Sequence, residues 1–115
     1  MTVTIWHNPK CGTSRTALEL IRATGIEPLV IDYQKTPPDA AMLASVAQAV
    51  GGAGALLRTM GTPAEALGLV GADDSVILAA MAIDPILINR PIVIGPRGTV
   101  LARPPERVRD VLAPA

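Results

Sequence analysis

Apolar and polar positions follow different periods along the chain, and each period predicts one kind of element. Short runs of β-branched and aromatic residues, bounded by glycine, proline or charged residues, predict strands. The predicted strands are "TVTIW" (2–6), "EPLVIDY" (27–33), "PIVIG" (91–95) and "TVLARP" (99–104). After the first strand, "SRTALELIRATG" (14–25) carries apolar residues at helical spacing and stops at Gly25, a residue that commonly ends helices.

The middle of the chain is predicted to be helical. Two of its helices have typical starts: the helix at 36–51 begins with prolines and Asp39 as its N-cap, and the helix at 62–69 has Thr62 as cap and Pro63 in the first position. The expected helices cover 36–51, 54–61, 62–69 and 73–85, and a further helix closes the chain at 104–113.

The order of these elements predicts an α/β fold with a mixed four-stranded sheet. A strand, a helix long enough to cross over and a second strand form a parallel βαβ unit. The "PRG" segment (96–98) between the last two strands indicates an antiparallel hairpin. We therefore expect one domain over residues 1–115: βαβ, a helical insertion at about 37–85, then ββα.

Composition limits the classes of function. Half of the residues are hydrophobic, so a core can form, although Phe is absent and Trp6 and Tyr33 are the only aromatic residues. Ten basic and ten acidic residues balance, which argues against a nucleic-acid or anionic-lipid surface. No apolar run reaches the ~20 residues of a membrane span, and "MTVTIW" does not resemble a signal peptide. With a single cysteine, the chain is expected in a reducing, cytoplasmic setting.

The segment "HNPKCGTSR" (7–15) concentrates the candidate chemistry. It holds the only histidine, His7, and the only cysteine, Cys11, where a strand gives way to a helix. A helix N-terminus stabilises a thiolate, and a protonated His7 would add positive charge. Gly12 would let the backbone approach a ligand, while Thr13 and Ser14 are expected to cap the helix or to donate hydrogen bonds to an anion.

Two known cysteine chemistries are disfavoured by spacing. A phosphatase loop needs arginine six positions after the cysteine, where this chain has Ala17. A dithiol redox motif needs a second cysteine three positions on, where it has Ser14.

One cysteine and one histidine cannot complete a typical zinc site, so no metal is predicted. The motif therefore predicts a single-thiol site with a polar cradle for an anion.

Three arginines have positions that favour anion binding. Arg58 ends the apolar stretch "GALLR", Arg90 precedes Pro91 at the start of a strand, and Arg103 precedes Pro104 at the end of another. Arginines at strand ends can point toward the mouth of the sheet, where α/β folds bind ligands. Guanidinium groups bind oxyanions with two parallel hydrogen bonds.

These motifs resemble one enzyme family. "HNPKCGTSR", "ALLR" and "ILINRPIVI" followed by "ARP" are similar to the bacterial arsenate reductases that work with glutathione and glutaredoxin. The resemblance covers nearly the whole chain and implies a thioredoxin-like fold enlarged by helices. It implies that Cys11 is the nucleophile, that His7 favours its thiolate and that Ser14 belongs to the cysteine loop. Arg58, Arg90 and Arg103 would form the oxyanion site. Pro91 would be a cis-proline that faces the thiol.

The resemblance also implies the reaction and its partners. Arsenate would bind at the helix N-terminus and form an adduct with Cys11, glutathione would add to it, and glutaredoxin would complete the reduction to arsenite. Glutathione is then a co-substrate, no cofactor is tightly bound, and the protein is expected to act as a monomer without nucleic acid or membrane. Two alternatives stay open: a general glutathione-dependent thiol oxidoreductase, and a thioredoxin-fold regulatory protein of the kind that binds RNA polymerase.

Overall fold

A computed structural model describes residues 2–112. The chain forms two compact units: one comprises the chain up to Thr36 and from Arg90 onward, the other Pro37–Asn89. The second unit spans the predicted helical insertion. That the chain is one domain stays a prediction.

The first unit is built on a four-stranded mixed sheet, as predicted. Its strands are β1 (Thr4–His7), β2 (Leu29–Asp32), β3 (Ile92–Gly95) and β4 (Gly98–Leu101). The spatial order is β2-β1-β3-β4, with β1 and β2 parallel and the other two neighbouring pairs antiparallel. Two residues between Gly95 and Gly98 close the β3–β4 hairpin, and Gly98 has a φ of 137°, which side chains disfavour.

The crossover helix α1 (Gly12–Ala23) begins two residues earlier than predicted. Cys11 is its N-cap, with extended φ and ψ of −94° and 122°, and its carbonyl accepts the N–H of Arg15. The helix ends before Gly25, whose φ is +87°. Since the helix starts at Gly12, Thr13 and Ser14 lie inside the first turn, and the expectation that they cap the helix is wrong.

One face of the sheet packs against α1 and the C-terminal segment. The buried residues there are aliphatic, as the absence of Phe requires. They are Val3, Ile5, Ala17, Ile21, Val93, Val100, Ala102, Val108, Val111 and Leu112. Burying such side chains contributes about 1.5–3 kcal/mol for each large one. This core fixes α1 against the sheet, and with it the position of Cys11 at the carboxyl end of β1.

The second unit contains α2 (Ala40–Val50), the short α3 (Ala53–Leu56) and α4 (Asp74–Ile83). As predicted, Asp39 caps α2, because its side chain accepts the N–H of Met42 at 2.8 Å. A 3-10 turn (Pro85–Leu87) follows α4. The three helices pack on one another around buried residues that include Leu43, Leu56, Ile77 and Met81.

Three helical predictions need correction. The helix expected at 54–61 already ends at Leu56, and Leu57 instead pairs with Ile88 in an isolated β-bridge. The helix expected at 62–69 is a series of turns, with Gly68 at a φ of 70° and Leu69 N–H bonded to the carbonyl of Ala64. Thr62 does turn its hydroxyl to the N–H of Ala64, so the capping signal is real although no helix follows. The closing helix is a 3-10 turn (Pro105–Val108) and α5 (Arg109–Leu112), and its predicted last residue, 113, lies outside the described residues.

Candidate active site

Cys11 lies at the tip of a tight loop between β1 and α1. The loop is closed by the backbone N–H of Cys11, which donates to the carbonyl of Asn8 at 2.9 Å. Arg15 donates from its guanidinium to the carbonyl of Pro9 at 2.9 Å, which ties α1 to the loop. The thiol is half-buried and forms no disulfide. It is therefore reachable by a small reactant, and it lies on a loop that these hydrogen bonds fix in shape.

Ser14 faces the interior beneath this loop. It is fully buried, and its Oγ shares a hydrogen bond of 2.7 Å with Nδ1 of His7 and accepts the N–H of Asn8 at 3.0 Å. The sequence predicted a serine that caps the helix or cradles an anion. Its hydroxyl instead joins the end of β1 to the first turn of α1, a link that fixes the shape of the cysteine loop.

Two of the three predicted arginines act on the thiol. Nη1 of Arg103 lies 4.0 Å from Sγ of Cys11 and donates to the carbonyl of Arg90 at 3.0 Å. Arg90 contributes both a hydrogen bond and its positive charge to the sulfur. Both residues precede a cis peptide bond, Arg90–Pro91 and Arg103–Pro104. The cis bond expected at Pro91 is thus present.

These groups shift the ionisation of Cys11. Burial by itself raises the pKa of the thiol, but the backbone N–H of Ser14 and the groups of Arg90 and Arg103 outweigh it. The result is a pKa lowered to about 7. A large fraction of Cys11 is therefore thiolate at neutral pH, and the thiolate is the form that attacks.

The surroundings of His7 disfavour its charged form. Burial lowers its pKa below 6.5, the charges of Arg22 and Arg15 lower it further, and Asp32 opposes them. The structure therefore favours the neutral ring over the positive charge that the sequence allowed for His7. Its structural contribution is the hydrogen bond to Ser14.

The structure gives the positions of three further predicted site residues, Gly12, Thr13 and Arg58. Gly12 is exposed and has no unusual φ, and Thr13 is half-buried in the first turn of α1. Arg58 belongs to the second unit, where its N–H donates to the carbonyl of Leu87 at 2.8 Å and its Nε donates to that of Met60 at 3.2 Å. Anion binding by Gly12, Thr13 and Arg58 stays a prediction.

Tyr33 is a residue near the site that the sequence reading missed. It follows β2 and is fully buried. Burial raises its pKa, and the charges of Arg90 and Cys11 both act on it. The position of Tyr33 in the sequence, just after β2, could have indicated that it lies near the site. Because β1 and β2 are parallel, the ends of both strands lie at the same edge of the sheet.

Residues 2–112 contain no group of three or more His, Cys, Asp or Glu that could hold a metal ion. No helix within that range is long and apolar enough to cross a membrane.

The geometry agrees with comparisons to known proteins. The model of the ArsC family matches residues 6–111. An arsenate reductase of Rhizobium meliloti is 50% identical over 115 residues, covering 97% of this chain and 82% of the relative, and one of Escherichia coli is 49% identical, covering 98% and 82%. The solved structure of an arsenate reductase from Vibrio cholerae superposes with a TM-score of 0.90 at 39% identity, covering 97% of this chain and 98% of that one. The chain, with its thioredoxin-like sheet and single activated cysteine, belongs to the ArsC family.

Proposed function

We propose that this protein reduces arsenate to arsenite through a covalent adduct on Cys11, with glutathione and glutaredoxin as the source of electrons. The observation that carries the proposal is the contact of Arg103 and Arg90 with a thiol whose pKa is about 7. Arsenate is an oxyanion, and a thiolate beside two guanidinium groups provides both the nucleophile and the positive charge that such a substrate needs.

The first step is attack by the thiolate. The guanidinium groups of Arg90 and Arg103 bind arsenate oxygens, which aligns arsenic with Sγ of Cys11. A sulfur–arsenic bond forms, one arsenic–oxygen bond breaks, and that oxygen leaves as water after taking up protons. The N–H of Ser14 stabilises the thiolate before attack. The family resemblance adds Arg58 to the residues proposed for substrate binding, and the position of Gly12 and Thr13 at the start of α1 adds these two.

The second step brings in an external thiol. Reduction of arsenate to arsenite needs two electrons, and Cys11 is the only cysteine in the sequence, so no internal disulfide can supply them. The glutathione sulfur replaces a second arsenic-bound oxygen, which leaves as water. Glutaredoxin thiolate then attacks the glutathione sulfur, and the electron pair of the broken sulfur–arsenic bond stays on arsenic. Water releases arsenite from Cys11, and the thiol is restored.

His7 and Ser14 are proposed as positioning residues. Their hydrogen bond and the bond from Asn8 hold the loop that carries Cys11.

No metal or tightly bound cofactor enters this mechanism. A reducing compartment such as the cytoplasm suits a thiol that works through a glutathione pool. The protein is proposed to act as a monomer.

A comparison of two reducing systems tests the proposal. Purified protein and arsenate are supplied either with glutathione, glutaredoxin, glutathione reductase and NADPH, or with thioredoxin, its reductase and NADPH without small thiols. We expect arsenate-dependent NADPH loss in the first mixture alone. Equal rates in both would contradict the requirement for an external small thiol. NADPH loss with a small disulfide but without any response to arsenate would favour the general thiol oxidoreductase.

A further inference from the structure

A cleft beside the cysteine loop contains both lysines of the chain. Eight of the ten basic residues are arginines, and the two lysines are Lys10 and Lys35. The cleft has a volume of about 340 Å³, within the range of small-molecule sites. The loop and the end of β2 form its walls. The lining residues are Asn8, Pro9, Lys10, Asp32, Gln34 and Lys35.

The cleft and the arginines lie on opposite flanks of β1. In the sheet order β2-β1-β3-β4, β2 borders β1 on one side and β3 borders it on the other. Arg90 and Arg103 come from the β3–β4 side, whereas Asp32 and Lys35 come from the end of β2. Lys10 directly precedes Cys11. The cleft therefore adjoins the cysteine loop through Lys10, on the flank of β1 opposite to the two arginines.

The polar groups of the cleft are held in place by the backbone. The N–H of Lys10 donates to Oδ1 of Asn8 at 3.0 Å, and the N–H of Gln34 donates to Oδ1 of Asp32 at 3.2 Å. Within residues 2–112 neither lysine ammonium lies within 4.0 Å of a carboxylate. The cleft thus offers two exposed ammonium groups and one oriented carboxylate.

We propose that this cleft binds the glutathione that attacks the arsenic adduct on Cys11. Glutathione carries two carboxylates and one ammonium group, and these match the two lysines and Asp32 in number and in sign. Lysine is a compact charge on a flexible stem, which suits terminal carboxylates that need no paired hydrogen bonds. The inference rests on the proposed function, since that function requires an external thiol.

Binding of S-methylglutathione tests the proposal without any turnover. This analogue keeps every charge of glutathione but has no free thiol, so it cannot react. Titration of ¹⁵N-labelled protein should give saturable shifts at the amides of Asn8, Lys10, Gln34 and Lys35. The Lys10→Gln, Lys35→Gln double variant should bind about tenfold more weakly, the combined effect of two exposed ion pairs.

Two controls make the result specific. Arg97→Gln, in the exposed turn between β3 and β4, removes a positive charge outside the cleft and should leave the dissociation constant unchanged. S-methylglutathione with both carboxylates esterified should bind the unaltered protein as weakly as the double variant binds the free acid. The proposal would be overturned if the double variant and Arg97→Gln had the same dissociation constant for S-methylglutathione. It would also be overturned if the amide shifts were confined to residues outside the cleft, or if no saturable binding occurred.

The titration separates this inference from the proposed function. If S-methylglutathione binds in the cleft but glutathione and glutaredoxin support no arsenate reduction, the function fails and the binding site stands. If arsenate is reduced with glutathione while the lysine variant binds the analogue unchanged, the function stands and the site fails.

Discussion

Nη1 of Arg103 lies 4.0 Å from Sγ of Cys11 although 92 positions separate the two residues. The contact exists because Arg103 follows β4 and Cys11 follows β1, and the sheet brings the ends of these strands to the same region. The guanidinium also donates to the carbonyl of Arg90, so its position does not depend on the sulfur alone. A guanidinium held next to a thiol is the feature on which the proposed chemistry of this protein rests.

Cys11→Ser should abolish arsenate reduction without loss of stability. No second thiol in the chain can replace the nucleophile. Serine is a favoured N-cap residue, and Cys11 occupies an N-cap whose side chain makes no capping hydrogen bond. We expect the free energy of unfolding in urea to be unchanged or to rise by about 1 kcal/mol. Arsenate reduction above background by the folded variant would contradict the role of Cys11.

Arg103→Gln should raise the pKa of Cys11 above about 7, because it removes a donor and a positive charge from the thiolate. Arg103→Lys keeps the charge and should give a smaller rise. The rate of alkylation by iodoacetamide as a function of pH measures the pKa. Arg109→Gln, at an exposed position of α5, is the matched control and should leave it unchanged. Equal values in Arg103→Gln and the unaltered protein would refute the contact.

The thiolate should make the stability of the protein depend on pH. The pKa of Cys11 is lower in the folded state than the ~8.5 of a free cysteine, so ionisation favours folding. Its contribution is fully present above the unfolded pKa and is lost as the pH falls through about 7. Urea unfolding between pH 6 and pH 9, approximately this window, should show a slope that Cys11→Ser lacks.

Ser14→Ala should destabilise the fold by about 1–3 kcal/mol, since it leaves the N–H of Asn8 and Nδ1 of His7 without a partner in a buried place. Thr16→Ala, at an exposed position of the same helix, is the control and should cost little. The pKa of Cys11 should remain near 7 in Ser14→Ala, because the stabilising donor is the backbone N–H. A large rise in that pKa would show that the hydroxyl acts on the sulfur directly.

His7 should titrate below 6.5, which its imidazole proton signals can measure by NMR. Because burial disfavours the charged ring, protonation favours the unfolded state. The stabilising effect of the neutral ring is complete above the unfolded pKa of ~6.5 and is lost as the pH falls toward the lower folded pKa. A titration midpoint above 6.5 would mean that His7 does carry a positive charge beside the cysteine loop.

Much of this protein is determined locally along the chain. The β-branched runs, the cap at Asp39 and the stop at Gly25 depend on neighbours in sequence, so they predict the strands, α1 and α2 to within a few residues. The place of Cys11 between a strand and a helix is equally local. So is the presence of a single cysteine, on which the proposed requirement for an external thiol rests.

Tertiary structure decided what each polar side chain contacts. Whether Ser14 caps the helix or turns inward depends on where α1 begins, and that is set by the tight loop at Asn8 and by packing of Ala17 and Ile21. The segment 62–69 has a helix-capping signal yet forms turns, because local propensity is too weak to specify a helix on its own. The contact of Arg103 with Cys11 depends on the order of the strands in the sheet. That order is a property of the whole fold, and no short segment of the sequence determines it.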